Sequence, residues 1–186
     1  MGLSPDLSGP NNLVIFTKEI KPNPSSWLTE GVAMVFYQKK QSVFGSLPKT
    51  GNYQENMLAY KKAQEEGSYD AFMINTKGHV TEGTTSNAWL IKNGVLYTPD
   101  LKSGVLEGLT RKTLFEMAEK KQLPLPLIEK SLSPEEFLNA DECFITSTTR
   151  NILPVTKINQ KPIASGLPGK QTLELLRLYL SFVENH

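Results

Sequence analysis

Glu82-Gly83-Thr84-Thr85-Ser86-Asn87 puts one carboxylate at the head of a run of short hydroxyl and amide side chains. The stretch stands second in an ordered series. Lys49-Thr50-Gly51-Asn52-Tyr53 precedes it, Gly108-Leu109-Thr110-Arg111 follows, and Ser147-Thr148-Thr149-Arg150 closes the series ahead of Pro154-Val155. An amine, an acid, a helix start and a hydroxyl-rich turn are the parts that hold an aldehyde carrying a phosphate.

Outward from these motifs the chain reads as alternating strands and helices. Residues 13–17 (Leu13-Val14-Ile15-Phe16-Thr17) and 32–37 have the apolar character of buried strands, with a proline-containing loop over 21–26 between them. Residues 53–66 carry a helical pattern, with Met57, Tyr60 and Gln64 on one face and Gly67 as its stop. A strand over 71–75 and a polar turn over 76–78 come next, and Asn93-Gly94 joins residues 88–92 and 95–98 as a hairpin. Residues 109–121 are amphipathic with Leu114, Met117 and Ala118 inward, and Ser133-Pro134-Glu135-Glu136 combines an N-cap serine with a first-turn proline. Residues 143–147 form a strand into the hydroxyl-rich turn, Asn159-Gln160 separates two short strands, and 172–183 closes the chain as a helix. With no repeat and no internal linker, the expected fold is one α/β (mixed α+β) unit over 13–186 behind a polar tail over 1–12.

Bulk properties narrow the function. A chain of 186 residues with 39% hydrophobic and 21% charged residues can bury a substantial core. A net charge of +1 without a basic block argues against nucleic acid. Cys143 is the single cysteine, which suits a reducing compartment, and its spacing from the two histidines makes no transition-metal site. No apolar run reaches the roughly 18 to 20 residues of a membrane span, and residues 1–12 lack the pattern of a secretory signal. A cytoplasmic protein without a metal, nucleic-acid or membrane partner is expected.

The motifs carry the chemistry. Lys49, ahead of a predicted helix, offers an amine able to form a Schiff base with an aldehyde, although a lysine taken alone is far more often a surface charge. Glu82 can pair with a protonated ring nitrogen, or it is a turn glutamate. Tyr53 can reach a ring oxygen, or it packs at a helix start. Leu109 and Thr110 open a helix whose unpaired N–H groups attract phosphate, and Ser147 and Thr148 add hydroxyls to the same anion. Leu106 can lie on the ring face or belong to the core. Thr84, Thr85, Ser86 and Asn87 read as structural, fixing their loop through local backbone bonds. Arg150 offers a fork for a substrate carboxylate or half of a structural ion pair, and His79 is read as a surface residue.

In order and spacing, the four motifs resemble the class IV pyridoxal-phosphate aminotransferases, a family that includes branched-chain and D-amino acid aminotransferases and aminodeoxychorismate lyase. The resemblance covers the chain from about Leu13 to its end and implies the large domain of the fold-type IV architecture, with pyridoxal 5′-phosphate as cofactor. It implies that Lys49 is the Schiff-base lysine and proton carrier and that Glu82 partners the pyridine nitrogen. Tyr53 would lie near the ring oxygen and Leu106 against the ring. Leu109, Thr110 and Thr148 would hold the phosphate, while the Thr149 backbone N–H would meet the substrate carboxylate. An amino acid and a 2-oxo acid are the implied substrates, and a homodimer the implied assembly.

Two departures stand beside that pattern. Relatives carry a small N-terminal domain of roughly a hundred residues, which supplies an arginine to the phosphate. Nothing before Lys49 matches that arginine, so the small domain is expected to be missing. The lysine-to-tyrosine spacing is also one residue shorter than in many branched-chain enzymes. Transamination is the preferred expectation. Its alternatives are aminodeoxychorismate lyase chemistry, releasing pyruvate and 4-aminobenzoate, and a non-catalytic remnant or a subunit completed by another polypeptide.

Overall fold

Parallel pairing of β1 (Val32–Gln38) with β2 (Asp70–Ile74) on one side and β8 (Asn151–Ile158) on the other starts the architecture of this computed structural model, which describes residues 15–20, 22–41, 49 and 51–185. A strand covered on both faces must be apolar along its length, and β2 is buried at every position. The remaining strands are β3 (Val80–Gly83), β4 (Asn87–Lys92), β5 (Val95–Thr98), β6 (Leu127–Glu129), β7 (Glu142–Ser147) and β9 (Lys161–Pro162). They form one sheet in the order β3-β2-β1-β8-β7-β4-β5-β6, with β9 on β8. β3 also pairs with β4, so the path from β3 through β4 closes into a ring.

Side-chain alternation along these strands sorts the core. Met34, Phe72, Leu90, Ile145 and Leu153 meet within the ring. Their neighbours Trp89, Ile91, Phe144 and Ile152 point outward against α3 (Leu109–Glu119) and α5 (Lys170–Glu184), through Leu114, Met117, Leu175, Tyr179 and Phe182. α2 (Gln54–Glu65) covers Val35, Ala71 and Met73 elsewhere on the outer face. The Asn93-Gly94 turn has positive φ at both residues, 51° and 72°, as a tight hairpin of this hand requires. At α4 (Pro134–Leu138) the Ser133 side chain accepts from the Glu136 N–H and the Glu136 carboxylate accepts from the Ser133 N–H. The Cys143 thiol is buried and donates to the Phe137 carbonyl at 3.5 Å. Among the described residues no helix is long and apolar enough to cross a membrane.

The structure corrects several expectations. Ile15, Phe16 and Thr17 form no strand, and Ile15 and Phe16 are exposed. Both edges of β1 are already taken by β2 and β8, which leaves no partner there; Leu13 and Val14 lie outside the described residues. The loop over 21–26 gives way at its end to a short helix, α1 (Ser26–Thr29), with Lys21 outside the described residues. α2 turns a different face inward than Met57, Tyr60 and Gln64, all three of which are exposed. Ala59 and Ala63 are its buried residues, because small side chains let the helix backbone lie close on β1 and β2. β3 and β6 are strands beyond those the sequence pattern predicts, and β3 falls across the start of the Glu82 motif.

Ala63→Leu should therefore destabilise the chain by about 1–3 kcal/mol through overpacking. Lys61→Ala, on the exposed face of α2, should stay within about 0.5 kcal/mol of the parent. Denaturant midpoints for the two variants test the assignment, and comparable losses would place the wrong face inward.

Candidate functional site

One edge of β4 is shared: β3 pairs at Asn87, and β5 pairs from Leu90 onward. Glu82 thus stands directly opposite Asn87, and Asn87 stands opposite Thr146 on the other edge. The row is anchored from behind by Trp89, whose Nε1 donates to Thr146 Oγ1 at 2.9 Å. Beyond it, β7 and β8 join through the Ser147–Arg150 turn, closed by an Arg150 N–H to Ser147 carbonyl bond of 3.2 Å, with Asn151 at φ 56°. The start of α3 comes against the same ends of strand.

A cavity of about 600 Å³ opens where these pieces meet. Lys49, Tyr53, Glu82, Leu106, Leu109, Thr110, Ser147, Thr148, Thr149 and Arg150 all border it, so the fold gathers every candidate site residue around one space. Thr50 lies outside the described residues. Lys39, Asn56 and Glu107 also line the cavity and carried no sequence signal, since each falls outside the motifs or, for Lys39, just past the end of a strand. Thr84 and Asn87 make structural contacts, but with distant segments rather than with local backbone. Asn56 Nδ2 donates to the Thr84 carbonyl at 2.7 Å, and Asn87 Nδ2 donates to the Leu106 carbonyl at 2.7 Å.

Two acids, Glu82 and Asp70, and the cations Lys39 and Arg150 near them set the electrostatics around the turn over 83–86. Glu82 Oε2 accepts the Leu106 N–H at 3.0 Å, and its Oε1 has no hydrogen bond among the described residues. Burial raises the Glu82 carboxyl above the usual carboxylate range, while the Leu106 N–H and the Lys39 charge pull it back. Asp70 lies beneath the 83–86 turn, where its Oδ1 accepts Thr84 Oγ1 at 2.6 Å and the Ala71 N–H at 2.8 Å. Burial raises Asp70 too, against the pull of those bonds and of Arg150. Arg150 Nη1 donates to Thr85 Oγ1 at 3.1 Å and the guanidinium lies 5.5 Å from the centre of the Tyr69 ring. Among the described residues no carboxylate comes within ion-pair distance of Arg150.

The cavity also holds orphaned donors. Ser86 Oγ, Thr110 Oγ1 and Ser147 Oγ are buried without a hydrogen-bond partner among the described residues. A buried hydroxyl left unpaired costs about 1–3 kcal/mol. No side chain caps the N-terminus of α3, and Gly108, Leu109 and Thr110 at that end line this space. A phosphate with its oxygens between α3 and the Ser147 turn would satisfy donors from both. With the Lys49 amine and the Glu82 carboxylate on the same cavity, the donor set fits a phosphorylated pyridine aldehyde.

Known proteins give the same direction. A family model described as amino-transferase class IV matches residues 2–158. A D-alanine aminotransferase of Bacillus licheniformis is 41% identical over 124 residues, which cover 67% of this chain and 43% of that protein. A branched-chain-amino-acid aminotransferase of Pseudomonas aeruginosa is 34% identical over 133 residues, covering 72% of this chain and 42% of that one. Among solved structures, the branched-chain amino acid aminotransferase from Thermobaculum terrenum in its PLP-form (holo-form) matches 82% of the chain and 50% of its own at TM-score 0.70 and 29% identity. The chain spans under half the length of the two curated relatives.

The raised Glu82 carboxyl has a measurable sign. Its folded value lies above the unfolded one, so the stability it contributes is complete below the unfolded value and lost as pH rises through the folded one. Glu82→Gln removes that loss. The thermal midpoint of the cofactor-free variant, relative to the parent, should be higher at about pH 8 than at about pH 4. Equal differences at both values would mean that the buried acid is not strained.

Proposed function

The chain belongs to the class IV aminotransferases, and from that premise we propose that it moves an amino group between an amino acid and a 2-oxo acid with pyridoxal 5′-phosphate as cofactor. The observation that carries the reading is the meeting of the Lys49 amine, the Glu82 carboxylate and the unpaired Thr110 and Ser147 hydroxyls on one cavity. When bound, the cofactor supplies an aldehyde carbon open to amines and a ring that draws electrons from the carbon being deprotonated.

The residues divide the remaining work. Lys49 Nζ would hold the cofactor and would accept and return the substrate proton. Glu82 Oε1 would accept from the pyridine nitrogen, while the Leu106 N–H on Oε2 holds the carboxylate. Thr110, Ser147 and Thr148 donate to the phosphate together with the N–H groups of Leu109 and its neighbours in the first turn of α3. Tyr53 would meet the ring oxygen, and the Leu106 side chain would lie on the ring. Thr149 and Arg150 would take the substrate carboxylate, a role helped by the lack of an ion pair to Arg150 among the described residues.

A homodimer is the assembly we propose. Met57, Leu58 and Tyr60 stand exposed on α2, and an apolar groove runs from them past Trp27 and Tyr69 to Thr85 and Arg150 at the cavity. An exposed apolar patch beside a site is the kind of surface a second copy covers. Sedimentation at micromolar concentration should give a dimer that Met57→Lys weakens; a monomer would reject it.

Covalent chemistry gives the direct test. Borohydride treatment with pyridoxal 5′-phosphate, followed by digestion and mass spectrometry, should place the reduced cofactor on Lys49. Lys49→Ala should lose both the label and turnover of donors such as D-alanine or branched-chain amino acids, the substrates that the relatives' names suggest. Glu82→Gln should keep the label yet lose activity by about a hundredfold. Label on another lysine, or none at saturation, overturns the assignment.

A further inference from the structure

Leu106 is gripped at both ends of its own residue. Its N–H donates to Glu82 Oε2 at 3.0 Å, and its carbonyl accepts from Asn87 Nδ2 at 2.7 Å. The two gripping side chains are cross-strand partners on β3 and β4, so they approach Leu106 as one rigid pair. The Leu106 carbonyl also receives the Gly108 N–H at 2.9 Å, which leads directly into α3. Asn87 is buried, and its Oδ1 lies only 2.3 Å from where a Cβ would sit at Gly108. Only glycine lets the chain press this closely against the amide.

We propose that Asn87 is a positioning residue: with Glu82 it locks Leu106, and so sets the distance between the free Glu82 oxygen, the Leu106 side chain and the N–H groups that open α3. The inference rests on the cofactor site proposed above and adds to it a mechanical link. The acid for the ring nitrogen, the apolar face for the ring and the donors for the phosphate then move together or not at all. Asn87 acts through Leu106 and Gly108, since both faces of its amide are occupied by that segment. Two fixed contact points are matched to one ligand length, and loosening the lock spoils their match more than it spoils either point alone.

The test uses the full chain without turnover. Pyridoxamine 5′-phosphate is titrated calorimetrically, since its amine cannot couple to Lys49, and inorganic phosphate is titrated by its shift of the thermal midpoint. Asn87→Ala should weaken pyridoxamine 5′-phosphate by about tenfold, the scale of one lost buried hydrogen bond, while inorganic phosphate changes by less than about threefold. Asn87→Asp should weaken the larger ligand further, because an acceptor then faces the Leu106 carbonyl beside a second acid. Gly108→Ala, pressing on the same amide from the other side, should reproduce the selective loss should the Asn87 variants fold poorly. Ile91→Val, buried on the same strand, should lower the thermal midpoint without moving either affinity. Unchanged affinity in Asn87→Ala and Gly108→Ala, or equal losses for the two ligands, overturns the positioning role. A parent chain that binds neither ligand removes the cofactor site itself, a distinct failure.

Discussion

One cross-strand pair, Glu82 opposite Asn87, both closes the ring of strands and sets the edge of the cavity. Without it β3 would remain a flap on β2, and β4 would offer an open edge ahead of Leu90. The closure is short because the same edge must then accept β5, and the Gly83–Ser86 turn is left standing over the opening. The 83–86 turn is braced from several sides: from below by Asp70, from the side by Asn56 and across its own mouth by the Gly83 N–H to the Ser86 carbonyl at 2.7 Å. A small structural constraint at the end of a strand thus decides where charged groups can be kept out of water.

Two acids lie around that turn under different conditions. Asp70 is enclosed and bonded to Thr84 and Ala71, although its Oδ2 has no partner among the described residues. Glu82, which lines the cavity, has one oxygen satisfied by Leu106 and the other without a hydrogen bond among the described residues. Both carboxyls are raised chiefly by burial, and of the two only Glu82 lines the cavity. The unpaired hydroxyls of Thr110 and Ser147 suit a ligand with acceptor oxygens. Stability elsewhere comes from ordinary packing, with strand side chains alternating between the ring interior and the helices outside.

Local rules made much of this legible in the sequence. Asn93-Gly94 specified its turn, and Ser133 with Glu136 specified a helix start, because each depends on contacts within a few residues. The four motifs were readable as a set since chemistry ties residue types to order, and the fold brings their lining residues together. What escaped depends on distant partners. The α2 face could not be read from hydrophobicity, because close approach to β1 favours Ala59 and Ala63 over Met57 and Tyr60. β3 hid inside a motif because its pairing is decided by β2 and β4 rather than by its own residues. Residues 15–17 look like a strand but pair with none, and Lys39 reaches the cavity from just past the end of β1.

The enclosed thiol of Cys143 has a practical corollary. It sits in the ring interior with its proton directed at the Phe137 carbonyl, and burial pushes the thiol far up its scale. Folded chain therefore presents almost no thiolate to oxidants or alkylating reagents. As the single cysteine of the chain, it turns modification into a clock for opening of the ring, and gives a site-specific reporter that requires no added label.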